Sequence, residues 1–285
     1  MLTCGKTALC EEKVRSHYTR HDLLSRVLSA LENAGKNLSD LCPADLAPVD
    51  EFHIRGRKAT LELAHAIKLG KGMSVLDVGS GIGGPSRCLA AEFGCRVDGI
   101  DLTEEYCHVA GALTELVGLS PLVTFHCADA LHMPYPDGEF DVVWTQHTAM
   151  NIFEKDALYR EMNRVLRPGG VLAIYDILAG EGGDVHFPVP WSRGLDTSFL
   201  ITPDNLRRLL EEAGFEITTW QDTTDAALVW FRNVMRTRNG ADIRPLGLHL
   251  LMGDDFEVMT RNQLRNLEED RIVLYQVTAV KQAPA

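Results

Sequence analysis

Val75-Leu76-Asp77-Val78-Gly79-Ser80-Gly81-Ile82-Gly83-Gly84-Pro85 is the stretch whose reading decides the fold. Met73 to Val78 is an apolar run of strand length. The glycines from 79 to 84 let the backbone turn tightly and let a ligand come close to N–H groups. Pro85 then suits the first position of a helix, where its missing N–H costs nothing. A strand, a glycine loop and a helix in that order begin a strand–helix–strand unit.

The same alternation continues downstream. Cys95 to Ile100 reads as the next strand, followed by Thr103-Glu104-Glu105 as an N-cap with acids in the first helical turn. Pro121 to Cys127 and Phe140 to Thr145 read as strands three and four. Leu158, Met162 and Val165 form a helical stripe that stops at Arg167-Pro168-Gly169-Gly170. Val171 to Ile177, Phe215 to Trp220 and Arg271 to Val280 supply strands five to seven, with a helix from Thr202-Pro203 to Ala213 between the first two. This pattern predicts an α/β fold: a doubly wound, seven-stranded, mostly parallel sheet with helices on both faces. Ligands of such sheets bind beyond the carboxyl ends of the strands.

Upstream, residues 1–72 read as a helical N-terminal cap segment on a domain of residues 73–285. Leu23, Leu24, Val27, Leu28 and Leu31 form one amphipathic stripe. A break is expected around Cys42-Pro43 and Pro48, and a second helix over 58–69, stopped by Gly70. Residues 178–201 read as an irregular loop. The insertion at about 222–270, with a helix from Thr224 to Arg238, is expected to form a helical lid.

Composition narrows the function classes. Apolar residues make up 45% and charged residues 24% of the 285, as in globular domains. The net charge of −12, without a Lys/Arg block, argues against nucleic acid as a partner. The longest run without Asp, Glu, Lys or Arg, Leu116 to Ala128, is too short for a membrane span, and the first residues hold no secretory-type apolar core. Seven scattered cysteines without C-x-x-C spacing read as free thiols, which points to the cytoplasm. His17 and His21 share a helical face, but no further ligands cluster with them, so no metal is expected.

Gly79, Gly81 and Gly84 match G-x-G-x-x-G, which leaves a nicotinamide-dependent oxidoreductase as one alternative. Asp77, two residues before the first glycine, is unhelpful beside a pyrophosphate and useful beside an amino group or a sulfonium. Asp101, at the end of strand two, can accept both hydroxyls of a ribose under either reading.

Asp77-x-Gly79-x-Gly81-x-Gly83 resembles the first motif of class I S-adenosylmethionine (SAM) methyltransferases, and the resemblance extends over residues 73–220. It implies a Rossmann-like fold and SAM as cofactor. The loop Gly79, Ser80, Gly81 and Gly83 would cradle the methionine part, with Asp77 helping to hold its amino end. Asp101 and Leu102 would take the ribose, Asp129 and Ala130 the adenine, and Gln146 and His147 would stand beside the sulfonium and the substrate. His17-Tyr18-Thr19 resembles the N-terminal aromatic segment that folds over SAM in such enzymes, which brings Tyr18 to the cofactor. The region from Asp50 to Arg57 lines the pocket in relatives, with Arg57 as the candidate for the SAM carboxylate.

Outside the motifs the chain is most similar to small-molecule methyltransferases of the sarcosine/dimethylglycine, ubiquinone/menaquinone-biosynthesis and tocopherol types. The implied partner is a small-molecule methyl acceptor. A nitrogen acceptor is slightly favoured on that likeness, over a carbon acceptor on a quinol, tocopherol-like or prenyl substrate, and oxygen stays open. His147 is the candidate base or substrate-orienting group. A silent SAM-binding protein is a further alternative, and a homo-oligomer is left open.

Overall fold

The computed structural model describes residues 11–238 and 245–283. The strands are β1 (Ser74–Val78), β2 (Arg96–Asp101), β3 (Val123–Cys127), β4 (Phe140–Gln146), β5 (Leu166–Ala179), β6 (Phe215–Asp222) and β7 (Ile272–Lys281). They form one sheet in the order β3-β2-β1-β4-β5-β7-β6. All pairings are parallel except those of β7, which runs antiparallel to both β5 and β6. The strand order reverses between β1 and β4, so the carboxyl ends of β1, β2 and β4 open onto one crevice.

The helices are α1 (11–18), α2 (Leu23–Asn33), α3 (Pro43–Asp50), α4 (Arg57–Ala66), α5 (Gly84–Phe93), α6 (Glu104–Leu116), α7 (Lys155–Val165), α8 (Pro203–Glu212), α9 (Thr224–Arg238), α10 (His249–Met252) and α11 (Phe256–Glu268). Successive strand residues face opposite sides of the sheet. Val75, Val142, Trp144 and Ala173 pack with Leu63 of α4, Leu89 of α5, Phe231 of α9 and Leu267 of α11. Their neighbours Leu76, Val143, Leu172 and Ile174 pack with Leu158 and Met162 of α7 and Leu206 and Leu210 of α8. A third cluster joins Leu23, Val27 and Leu31 of α2 to Tyr106, Val109 and Leu113 of α6, to Leu250 and Leu251 of α10, and to Ile82 of the glycine loop.

Three local expectations are corrected. The segment expected to break around Cys42 and Pro48 is the helix α3. Pro43 occupies its first turn, the Asp45 carboxylate accepts from the Cys42 N–H at 3.0 Å, and Pro48 lies inside. Proline there removes one backbone hydrogen bond, which an eight-residue helix packed through Leu46 and Val49 tolerates. The helix stops before Arg167-Pro168-Gly169-Gly170 as expected, α7 ending at Val165, but β5 begins ahead of that run rather than after it. Leu166 already pairs with Phe140, and the next pair is Val142 with Val171, so the four residues bulge out of β5 with Gly169 at φ +74°. The 222–270 insertion carries a second long helix, α11, that packs with α9.

Helix α2 begins without a cap of its own. Asp22 is left-handed and makes no side-chain capping bond, and Glu105 of α6 accepts from the backbone N–H of Arg20 at 2.6 Å instead. A carboxylate from a neighbouring helix thus satisfies a donor at this turn.

The glycine loop is held from beneath by Arg87 of α5, which is fully buried. One guanidinium nitrogen donates to the Ile82 carbonyl (2.6 Å) and to Asp50 Oδ2 at the end of α3 (2.8 Å). The other donates to the Ala110 carbonyl (3.1 Å) and Thr114 Oγ1 (3.0 Å) of α6. Removing one partner of a buried ion pair strands the other charge. Arg87→Met is expected to lose about 3–5 kcal/mol of unfolding free energy in urea, and the double change Asp50→Leu/Arg87→Met is expected to recover part of it. A single-variant loss no larger than that of an exposed pair, about 1 kcal/mol or less, would contradict this role.

Candidate functional site

The loop after β1 is tied to β2 by its own backbone. The N–H groups of Gly79 and Ser80 both donate to the Ile100 carbonyl, at 2.8 and 3.0 Å. The Gly81 N–H donates to Asp101 Oδ2 at 3.0 Å, and Asp101 Oδ1 accepts from the Thr103 N–H at 2.8 Å. Thr103 occupies the N-cap position of α6, yet its side chain makes no capping bond. Asp101 therefore organises both the loop and the start of α6, and each oxygen keeps a lone pair for a ligand hydroxyl.

Two glycines show why the loop needs them. Gly79 has φ +76°, and a Cβ there would lie 2.1 Å from Thr148 Oγ1. Gly81 has φ +54°, borders the crevice, and a Cβ there would meet no protein atom within 4 Å. That opening is where a ligand can approach the backbone.

The crevice is a cavity of about 160 Å3 over the ends of β1 to β4. It is bordered by Gly79, Ser80 and Gly81 from the loop, by Asp101 and Leu102 from β2, and by Asp129 and Ala130 after β3. Gln146 and His147 at the end of β4 and Tyr18 at the end of α1 complete it. Ten of the sequence candidates are thus brought together, and three are not. Asp77 is buried below the loop, where Ser86 of α5 donates to it at 2.6 Å. Gly83 also stands off the cavity, and a Cβ there would lie 2.5 Å from Phe125, so its role is packing. Arg57 pairs with Glu92 of α5 at 2.5 Å and borders no cavity. Gly56, at φ +51°, precedes it at the N-cap of α4.

Several polar groups at the cavity are already engaged. Asp129 accepts from the Leu131 N–H and pairs with His132, both at 2.8 Å, which raises the His132 pKa. The Tyr18 hydroxyl donates to Asn151 Oδ1 at 2.8 Å, and Asn151 in turn donates to the Trp191 and Thr197 carbonyls. Gln146 Oε1 accepts from Trp144 Nε1 at 3.0 Å and from Thr60 Oγ1 at 3.2 Å. Other polar atoms of the cavity residues have no protein partner: Ser80 Oγ, the Tyr106 hydroxyl, Gln146 Nε2 and His147 Nε2 are all buried. Buried polar groups are ordinarily hydrogen-bonded, so this concentration fits a polar ligand.

Burial dominates the electrostatics. It pushes the Asp77 carboxyl up to about 7 against the opposing Ser86 bond, and it raises Asp101 despite two backbone N–H donors. It lowers His147 well below the usual histidine range, with His53 adding to the effect, so that His147 is neutral at pH 7.

A second, smaller cavity of about 70 Å3 adjoins the first and shares Tyr18, Phe52, His53 and His147 with it. Its wall comes from Trp191, from Trp230 and Phe231 of α9, and from Met252 and Phe256 of the α10–α11 region. No Asp, Glu, Lys or Arg among the described residues borders it. The sequence reading placed the region from Asp50 to Arg57 at the pocket but singled out Arg57 rather than His53, and it missed Thr60 and Asn151. A lone polar residue between apolar neighbours carries no signal of what it meets across the fold.

Asp77 yields a test of these electrostatics. Its folded pKa lies above the unfolded value, so the native state holds a proton that the unfolded chain releases. Its contribution to stability therefore falls as pH rises from about 4 to about 7. Asp77→Asn, with an amide in the same place, removes this dependence. Thermal melts of the ligand-free chain are expected to show the variant's Tm rising against wild type by about 2–6 °C between about pH 5 and about pH 8. A difference that stays constant with pH would contradict the raised carboxyl.

Comparison with known proteins agrees with this architecture. Residues 76–174 match the methyltransferase domain family. The chain is 34% identical over 189 residues to the methyltransferase GfsG of Streptomyces halstedii, covering 64% of this chain and 66% of that one. It is 32% identical over 180 residues to a sterol 24-C-methyltransferase, ERG6B, of Gibberella zeae, covering 59% and 47%. It is 31% identical over 157 residues to a sarcosine/dimethylglycine N-methyltransferase of Halorhodospira halochloris, covering 55% and 56%. The chain thus spans between about half and two thirds of these relatives' lengths. Among solved structures, the [4+2]-cyclase SpnF superposes with a TM-score of 0.65 at 23% identity, covering 91% of this chain and 93% of that one, a likeness of fold. A nicotinamide-binding doubly wound sheet is typically ordered 3-2-1-4-5-6. Here an antiparallel β7 stands between β5 and β6. With the matched domain and the acids at the ends of β1 and β2, the chain belongs to the class I SAM-dependent methyltransferases.

Proposed function

We propose that this chain binds SAM in the first cavity and transfers its methyl group to a neutral, largely apolar small molecule held in the second. The observation that carries the reading is the junction of the two cavities. A crevice bordered by the glycine loop and by Asp101 opens, past Tyr18, His53 and His147, into a chamber with no Asp, Glu, Lys or Arg among its described lining residues.

The chain's residues divide the work. Asp101 accepts the ribose hydroxyls, Leu102 and Ala130 flank the adenosine, and Asp129 accepts from the adenine amine with its remaining lone pairs. The N–H groups and the Ser80 hydroxyl of the loop face the methionine part. No arginine or lysine borders either cavity among the described residues, so hydroxyls and amides rather than an ion pair meet the SAM carboxylate. Tyr18, anchored to Asn151, covers the cofactor. When bound, SAM supplies a methyl group already activated by positive sulfur. The protein aligns the acceptor with it and excludes water.

The chamber's lining supports an oxygen or carbon acceptor over the nitrogen acceptor expected from the likeness to sarcosine/dimethylglycine enzymes. A carboxylate or phosphate on the acceptor would find no cation to pair with, and an unpaired buried charge is costly. The aromatic and methionine side chains instead match a ring or prenyl-like chain.

Calorimetric titration with SAM and with S-adenosylhomocysteine tests the cofactor. Micromolar affinity is expected, and Asp101→Ala is expected to weaken it by about 1.5–3 kcal/mol. A folded chain that binds neither compound would sink the reading. His147→Ala is expected to keep SAM affinity within about threefold while lowering turnover, because its ring shapes the passage between the cavities. Undiminished turnover would remove His147 from the catalytic arrangement. In an acceptor screen, phenols, quinols and prenyl alcohols are expected to outpace dimethylglycine and phosphoethanolamine, and the reverse order would refute the neutral chamber.

A further inference from the structure

At the junction of the two cavities lies a buried polar cluster to which the proposed cofactor contacts assign no role. Glu51 and His53 lie between α3 and α4, and Thr60 lies in the first turn of α4. All three are buried. His53 Nε2 is 3.0 Å from the Gly56 carbonyl oxygen. A carbonyl only accepts, so Nε2 carries the ring proton and Nδ1 carries the lone pair. Thr60 Oγ1 is 3.2 Å from the same Nε2 and 2.9 Å from Glu51 Oε2, which itself lies 3.5 Å from Nε2. The ring borders both cavities, and Nδ1 has no hydrogen-bond partner among the described residues. His147 also borders both cavities, but no hydrogen bond among the described residues fixes which of its nitrogens carries the proton.

We infer that His53 is the base of the reaction, taking the proton of a neutral hydroxyl or enol acceptor at Nδ1, while Glu51 and Thr60 are positioning residues that hold the Nε2–H tautomer. The inference rests on the neutral acceptor proposed above. The acceptor's electron pair forms the new bond to the methyl carbon, the pair of the S–CH3 bond returns to sulfur, and the acceptor's proton passes to Nδ1. One positive charge leaves sulfur and one appears on the imidazolium, so the closed site keeps its net charge. Glu51 stands beside the nitrogen opposite the one that takes the proton, where a carboxylate stabilises the imidazolium.

The surroundings suit this role. Glu51 and Arg55 face His53 from its own segment, His147 from the end of β4, Tyr175 from β5 and Tyr18 from α1. Burial pushes His53 down to about 4, so its lone pair is free at neutral pH. Burial, with Asp50 adding to it, pushes Glu51 up to about 8. The rate is therefore expected to rise through the His53 titration and again as Glu51 ionises.

The test uses the full chain with SAM, and 1-naphthol and menadiol as acceptors, with SAM affinity measured in parallel by calorimetry. His53→Gln keeps an N–H for the Gly56 carbonyl but has no titrating nitrogen. It is expected to lower kcat about 100-fold, with KM and SAM affinity within about threefold. Glu51→Gln is expected to keep most activity below about pH 7 and to lose the alkaline rise, a change that loss of packing alone would not produce. Independently of any variant's folding, 15N-histidine NMR of the wild-type chain with S-adenosylhomocysteine is expected to show His53 in the Nε2–H tautomer. An Nδ1–H tautomer, wild-type turnover by His53→Gln, or an unchanged alkaline limb in Glu51→Gln would overturn the assignment. So would wild-type chain that binds SAM and methylates neither probe. Failure to bind SAM at all would instead overturn the methyltransferase proposal itself.

Discussion

The buried guanidinium of Arg87 is the constraint on which the site depends. It reaches the loop carbonyl of Ile82, the Asp50 carboxylate that ends α3, and the carbonyl and hydroxyl that α6 presents. Three segments distant in sequence therefore meet at one cation. The packing around it leaves little room. A Cβ at Gly83 would come 2.7 Å from its Nη1, and one at Gly84 would come 2.2 Å from the Asp50 carbonyl oxygen. The glycines after Gly81 thus serve the approach of α3 and Arg87 to the loop, while Gly79 and Gly81 shape the face that a ligand meets. One glycine-rich run answers to two demands from opposite sides.

Low dielectric surroundings set the charge state of the whole centre. Asp77, Glu51 and Asp176 are all pushed toward their neutral forms by burial, and His53 and His147 toward theirs. A centre held near neutrality suits a cationic sulfonium substrate, because the incoming charge meets dipoles and raised carboxyls rather than competing ion pairs. The same neutrality supports the proposed transfer to a neutral acceptor, in which one positive charge only changes place.

The second cavity is made by segments far from the motif region. The wall from α9, α10 and α11 meets the N-terminal segment, whose Tyr18 and Phe52 border both cavities. Buried Lys155 holds the loop beneath them, donating to the carbonyls of Ala149, Ile152 and Phe199. His17 adds a tie from α1 to the Pro190 carbonyl at 2.9 Å. Under the proposed function, acceptor selectivity would reside in this packing of the N-terminal segment against α9, α10 and α11.

Much of this was legible in the residues alone. Seven strands, their alternation with helices and the sites after β1 to β4 follow from periodicity and glycine placement, which are local signals. So is Asp101 at the tip of β2, since a strand's end is readable and the crevice lies at strand ends, whereas Gln146-His147 after β4 was picked out by resemblance to the methyltransferase family. Arg57 misled because a basic residue near a pocket-forming segment says nothing of direction, and in the fold it pairs with Glu92. The bulge in β5 escaped because strand register is not a local signal, and the helix through Pro48 because packing overrode a local break. The resemblance pointed to the segment that holds Glu51 and His53, but their meeting with Thr60 and the uncharged second chamber had no sequence signature. They are contacts among segments whose separation along the chain carries no information about distance, and only burial of the assembled surfaces brings them together.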